Sequence, residues 1–282
     1  MLIFSKIADL QGYLSPLKSN NQTIGFVPTM GALHKGHLSL INASKEVCSL
    51  TVCSIFVNPT QFNDPKDLER YPRTPEKDIN MLESVGCDVL FMPGVEEMYP
   101  GGSKKELFDF GYLDKILEGA FRPGHFSGVA QVVKRLFEIV KPDKAFFGSK
   151  DYQQVMIVKA LVKQMNAPIE IVPCPILREP DGLAMSSRNI LLSPSERAIA
   201  SNVPKIMESA VKLITNTGID AAKFFVQNEV ANIPDCRYDY FEVCDADTLE
   251  PCKNLEGRKT YVALIALFVG RIRLIDNLVF SL

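Results

Sequence analysis

The sequence predicts an α/β fold: a doubly wound, Rossmann-like parallel sheet followed by a smaller α+β domain. Three observations carry that expectation. Five short runs rich in β-branched and aromatic residues end by Pro175, and helix-length segments with apolar periodicity separate them. Beyond Pro175 the alternation gives way to helical stretches and then three strand-like runs.

"TIGFV" (23–27), "LTVCSIFV" (50–57), "DVLFMP" (88–93), "KAFFG" (144–148) and "IEIVPCP" (169–175) are short and nearly continuous in apolar character, as parallel strands buried on both faces are. Residues 38–47, 75–85, 129–140 and 152–165 lie between them and are long enough to be the helices of βαβ units. After Pro175, "ILREPDGLAMSSRNILLSPSE" reads as a turn-rich, charged connection, followed by helical stretches over 194–215 and 220–231. "YDYFEVCDA" (238–246), "TYVALIALFVG" (260–270) and "IRLIDN" (272–277) then suit an antiparallel sheet. A boundary near Leu177 divides a larger domain, 1–176, from a small α+β domain, 177–282. No internal repeat or low-complexity tract interrupts either.

Composition limits the function classes. With 282 residues, 46% of them hydrophobic, the chain can bury one sizeable core or two modest ones. Lys and Arg number 31 against 33 Asp and Glu, so bulk charge recruits neither nucleic acid nor an anionic membrane. The seven cysteines are odd in number and form no C-x-x-C pair. Cys48, Cys53, Cys87 and Cys174 sit in or beside apolar runs, so reduced, buried thiols of a cytoplasmic protein are expected. The opening "MLIFSKIADLQ" lacks the basic flank and long apolar stretch of a signal peptide, and no segment is apolar enough to span a bilayer.

Chemistry concentrates where strand-like runs end. "VPTMGALHKGHLSLI" (27–41) holds Gly31, Gly36 and two of the three histidines in the chain. A helix starting near Gly36 would offer unpaired N–H groups and a positive dipole end to an anion, and the glycines let the backbone approach it. His34 and His37, three residues apart, share a face of the first turn and can both donate to that anion. On spacing alone such histidines are more often structural. The turn is neither G-x-G-x-x-G nor G-x-x-x-x-G-K-[ST]. Its H-x-G-H resembles the signature of the nucleotidylyltransferase superfamily, which implies attack on the α-phosphate of ATP.

Four further stretches accompany it. "LAMSSRN" (183–189) resembles the superfamily's Lys-Met-Ser-Lys-Ser loop, with Arg188 for the cation and Ser186 and Ser187 for the hydroxyls. In "FFGSKDYQQV" (146–155), Lys150 is a compact charge for a phosphate, Asp151 suits a helix start and Gln154 can bind a polar substrate. "FVNPTQF" (56–62) supplies Gln61, a neutral partner for a hydroxyl and carboxylate, and "FRPGHFSGV" (121–129) holds His125. Each alone is an ordinary loop, cap or core feature. "PTMGALHKGH", "FVNPTQF", "YPRTPEKD", "RPGHFSGVAQVV", "FFGSKDYQQ", "DGLAMSSRN" and "RLIDN", in this order over nearly the whole chain, are together similar to the pantothenate synthetase (pantoate–β-alanine ligase) family.

That resemblance implies a two-step reaction: pantoate and ATP give pantoyl adenylate and pyrophosphate, and β-alanine then displaces AMP to form pantothenate, a coenzyme A precursor. It implies an ATP site lined by Met30, Gly31, Ala32, Leu33, His34, Lys35, Gly36 and His37, with His34, His37, Lys150 and Arg188 catalytic. Gly148, Ser149, Lys150, Asp151, Leu177, Met185, Ser186, Ser187 and Arg188 would also bind the nucleotide. Ser149 departs from the glutamate common in the family. Gln61 and Gln154 would hold pantoate, with Val129 and Val132 against its gem-dimethyl group. Magnesium would accompany ATP, with no protein ligand assigned and Asp78 a candidate. A homodimer and a hinge near Leu177, closing the smaller domain as a lid, are implied as well. Two rival readings are an enzyme that moves AMP onto a phosphate and a nucleotide-binding module that has lost its chemistry.

Overall fold

The computed structural model describes residues 1–62, 65–103, 106–257 and 259–281. They form two compact units, Met1–Ser149 with Gln153–Pro175, and Lys150–Tyr152 with Ile176–Leu282.

The first unit opens with β1 (Leu2–Phe4), α1 (Ile7–Ser19), β2 (Ile24–Thr29), α2 (Lys35–Val47) and β3 (Leu50–Ile55). It continues through α3 (Pro65–Arg70), α4 (Pro75–Ser84), β4 (Val89–Phe91) and the single turns α5 (Val95–Met98) and α6 (Glu118–Phe121). The long α7 (His125–Val140), β5 (Lys144–Gly148), α8 (Tyr152–Met165) and β6 (Glu170–Cys174) follow. The strands make one six-stranded sheet in the order β1-β4-β3-β2-β5-β6, parallel at every pairing.

Strand residues alternate between two apolar layers because successive side chains point to opposite faces. Phe26, Val52, Val89 and Phe91, with Phe147, join α1, α7 and α8 in one core. Val27, Cys53, Leu90 and Phe146 join α2 and α4 in the other. Helices therefore cover both faces. Pro173, which cannot donate to a ladder, lies on the edge strand β6. The strand order reverses direction between β2 and β5, and in open α/β sheets a ligand crevice forms at such a switch point. The H-x-G-H turn leaves β2 there.

The second unit contains α9 (Pro194–Ala200), α10 (Val203–Thr217), α11 (Ile219–Ala231) and the antiparallel sheet β7 (Cys236–Asp245), β8 (Thr260–Val269) and β9 (Ile272–Ser281). Its core joins Ile206, Met207 and Ala210 of α10 to Ala263, Ile265 and Leu267 of β8. Several boundaries differ from the sequence expectation. The stretch 194–215 is two helices, broken at Ser201 and Asn202, and α7 begins at His125 rather than at 129. β9 runs on to Ser281 because it pairs with β8 along its whole length.

All seven cysteines are free thiols. Burial pushes the Cys53 thiol well up and Cys87 up to about 11, which keeps both protonated and inert. Cys48 is only half-buried, because it sits at the exposed C-terminal cap of α2. No helix among the described residues is long and apolar enough to cross a membrane.

Candidate active site

The turn after β2 is held in an unusual backbone shape. Gly31 has φ +80° and Ala32 φ 49°, both in the left-handed region that a residue with a Cβ rarely enters. Asp78, in the first turn of α4, compensates. Its carboxylate, 1% exposed, accepts N–H bonds from Ala32 at 2.9 Å and Leu33 at 2.8 Å, and the Thr74 hydroxyl at 3.1 Å. These three bonds give the Asp78 carboxylate a structural role in holding the turn.

His34 is the N-cap of α2, and the two histidines cap it reciprocally. The Gly36 N–H donates to His34 Nδ1 at 3.1 Å, and the His34 N–H donates to His37 Nδ1 at 3.3 Å. The rings lie 4.1 Å apart, centroid to centroid. The imidazoles here do what Ser and Glu do in an ordinary capping box. A ring nitrogen that accepts an N–H carries no proton, so each neutral ring keeps its hydrogen on Nε2. Of the unpaired N–H groups expected at this helix start, that of Gly36 is instead satisfied by His34.

Gln61 stands in a second strand-end turn. Pro59–Gln61 is one turn of 3-10 helix capped by Asn58, whose side-chain oxygen accepts the Thr60 N–H at 3.3 Å. Asn58 is fully buried; its Nδ2 donates to Gln61 Oε1 at 3.2 Å and to the Gly128 carbonyl at 3.0 Å. The Tyr99 hydroxyl, kept protonated because burial raises its pKa, donates to Asn58 Oδ1 at 3.0 Å. Gln61 Nε2 donates to the Met30 sulfur at 3.0 Å, which ties the two turns together. The Gln61 carbonyl lies 2.9 Å from His125 Nδ1. A primary amide has two N–H groups and two lone pairs, so these bonds leave it further capacity for a ligand.

Gly128 lets α7 meet this turn. A Cβ there would lie 2.3 Å from the Thr60 carbonyl oxygen and 2.7 Å from the Gln61 Cα. Val129 and Val132 are on the buried face of α7, within the core. Of the remaining candidates in the first unit, Leu33 is buried, Gly148, Ser149 and Gln154 are half-buried, and Lys35 is exposed.

The second unit holds the other group. Lys150 and Asp151 lie in the 3-10 turn Ser149–Asp151, 4.0 Å apart between Nζ and Oδ1, and α8 begins only at Tyr152. Asp151 thus stands directly before α8, at the helix start. Residues 177–185 form a tight hairpin, with Met185 N–H donating to the carbonyl of Leu177, an exposed residue, at 3.0 Å and Glu179 N–H to that of Leu183 at 2.8 Å. The hairpin leads into Ser186, whose Oγ accepts the Arg188 N–H at 3.3 Å and caps the turn Ser187–Leu191. That bond uses a lone pair of Ser186 and leaves its O–H able to donate.

No group of three or more His, Cys, Asp or Glu able to hold a metal occurs among the described residues. Sequence reasoning left Asn58 and Tyr99 without a role and did not show the main-chain bonds that Asp78 accepts. An Asn directly before a Pro at a strand end is a capping signal that identifies Asn58; nothing local identifies Tyr99.

A family profile described as Pantoate-beta-alanine ligase matches residues 2–279. A pantothenate synthetase from Porphyromonas gingivalis is 45% identical over 278 residues, covering 99% of this chain and 99% of that protein. A solved structure of pantothenate synthetase from Thermus thermophilus superposes with a TM-score of 0.91 at 40% identity, over 99% of each chain. The pantoate-beta-alanine ligase of Francisella tularensis, solved with beta-gamma ATP and beta-alanine, gives 0.83 at 36% identity over 99% of this chain and 97% of that one.

Proposed function

The chain belongs to the pantoate-beta-alanine ligase family, and we infer from that membership that it condenses pantoate with β-alanine at the expense of ATP, releasing AMP and pyrophosphate. The geometric observation that carries the site-level reading is the reciprocal cap of His34 and His37, which turns two side chains at a strand end into fixed N–H donors.

A carboxylate is a poor acyl donor because its leaving group would be oxide. In the first step a pantoate carboxylate oxygen bonds to the α-phosphorus of ATP, and the bond from that phosphorus to the bridging oxygen breaks, so negative charge moves onto pyrophosphate. The Nε2–H groups of His34 and His37 stabilise the charge growing on the phosphates, an electrostatic role for preorganised donors. Lys150 and Arg188, with the hydroxyls of Ser186 and Ser187, are assigned by the family's motifs to the same triphosphate. In the second step the neutral amine of β-alanine bonds to the acyl carbon, the bond to AMP breaks, and the nitrogen gives up a proton.

Gln61 and Gln154 hold pantoate in this reading, with Val129 and Val132 as its apolar wall. Met30 to His37, Gly148 to Asp151, Leu177 and Met185 contact the nucleotide. Magnesium would accompany ATP and offset phosphate charge, with no protein ligand assigned to it. A homodimer and a cytoplasmic location complete the reading, supported by the family resemblance and, for location, by seven unpaired cysteines.

AMP formation, measured with each substrate omitted in turn, tests the function. It should require pantoate, β-alanine and ATP together at steady state. Transfer of AMP onto a phosphate acceptor with no need for pantoate would contradict it.

A further inference from the structure

The motif "RLIDN" lies on β9, and the chemistry above gives it no task. Asp276 and Asn277 are 3% and 2% exposed, yet both are polar and neighbours on a strand, so their side chains leave on opposite faces. Burial of this kind is costly unless each polar atom is satisfied. The bonds they make converge on the residues assigned to the triphosphate.

Asp276 is gripped by Arg178 through both oxygens, at 2.7 Å to Oδ2 and 3.0 Å to Oδ1. The same guanidinium donates to the Gly182 carbonyl at 3.0 Å and to the Asn277 carbonyl at 3.2 Å. Arg178 thereby pins the 177–185 hairpin across its width onto β9. The hairpin's last residue, Met185, delivers Ser186, Ser187 and Arg188. Asn277 Nδ2 in turn donates to the main-chain carbonyl of Lys150 at 2.9 Å, across 127 positions of sequence. Asp276 Oδ1 also accepts the Asn277 N–H at 2.7 Å, which couples the two anchors. Next to Lys150, the Tyr152 hydroxyl donates to the Ala246 carbonyl at 2.7 Å, so this short segment is tied to the second unit twice.

We propose that Asp276 and Asn277 are positioning residues for the adenylation step: Asn277 fixes the main chain that carries Lys150, and Asp276, through Arg178, fixes the hairpin that carries Ser186 to Arg188. Two adjacent residues of one strand thus set the placement of both cations. The proposal rests on the assignment of Lys150 and Arg188 to the triphosphate. It explains why an acid and an amide are buried side by side in a strand whose partner β8 is almost wholly apolar.

A double-mutant cycle on pantoate-dependent exchange of pyrophosphate into ATP tests it, using the full chain. Asn277→Ala should lower the exchange kcat about 5- to 10-fold, the loss of one hydrogen bond that matters in the transition state, and leave the pantoate KM within about 2-fold. Asn277→Asp, which keeps the shape but cannot donate to a carbonyl, should do the same, and it serves where the alanine variant unfolds. In a Lys150→Ala background either change should cost less than about 2-fold, because the group being positioned is gone. Arg178→Lys keeps the charge opposite Asp276 but loses the forked grip, and should lower kcat in the same way. Losses that multiply in the Lys150→Ala background, or Asn277 variants that exchange at the wild-type rate, would overturn the positioning role. Wild-type exchange by Lys150→Ala itself would instead overturn the triphosphate assignment beneath it.

Discussion

His34 and His37 each commit Nδ1 to a backbone N–H, so whatever they do for a substrate is done by Nε2. Ring nitrogen chemical shifts near neutral pH should show both histidines as the Nε2–H tautomer. A ring protonated at Nδ1 would contradict the cap. In the proposed mechanism His37 donates to charge that forms mostly in the transition state, so His37→Ala should lower kcat for adenylation ~10²–10³ with ATP affinity changed little. Near-wild-type turnover would remove His37 from the mechanism. Both histidines were legible in the sequence as an H-x-G-H turn after a strand. Which nitrogen faces the ligand was not, because it depends on the geometry of amides three residues away. Asp78 shows the same limit: an acidic residue in "YPRTPEKD" cannot be told from a metal ligand until the N–H groups it accepts are seen.

Two secondary elements are shaped to hold the strand-end turns, and each can be tested. α4 reaches the H-x-G-H turn through Asp78. Asp78→Asn keeps the shape but gives up one of two accepting oxygens, so it should destabilise the fold by about 1–3 kcal/mol in thermal or denaturant unfolding. The magnesium concentration for half-maximal exchange should stay the same. A shift in magnesium dependence with unchanged stability would restore Asp78 as a metal ligand. α7 reaches the Gln61 turn through Gly128. Gly128→Ala places a Cβ 2.3 Å from a carbonyl oxygen, which must displace the turn. The pantoate KM should rise, as for Gln61→Ala, while ATP affinity holds; a loss of ATP affinity alone would contradict the placement of Gln61. The inner strands β2 to β5 were legible because continuous apolar runs have few other uses. β1 and α1 were not, since β1 has three residues with Leu2 and Ile3 half exposed, and α1 contains Pro16.

At the scale of the whole molecule, the division into an α/β part and a small α+β part follows from the change of pattern at Pro175. The exchange of one short segment does not. Residues 150–152 are continuous with the first unit's sequence but cluster with the second, held by Asn277 and Ala246, and no local pattern encodes a bond across 127 positions. The central claim for the molecule is that a carboxylate is activated as an acyl adenylate before any amine arrives. The measurement that tests it most directly supplies ATP, magnesium and pantoate, withholds β-alanine, and follows labelled pyrophosphate into ATP. Because the first step reverses while its product stays bound, label should enter ATP only when pantoate is present. Exchange that proceeds equally without pantoate would indicate adenylylation of an enzyme side chain, and no exchange in its presence would indicate direct attack by β-alanine; either result contradicts the account.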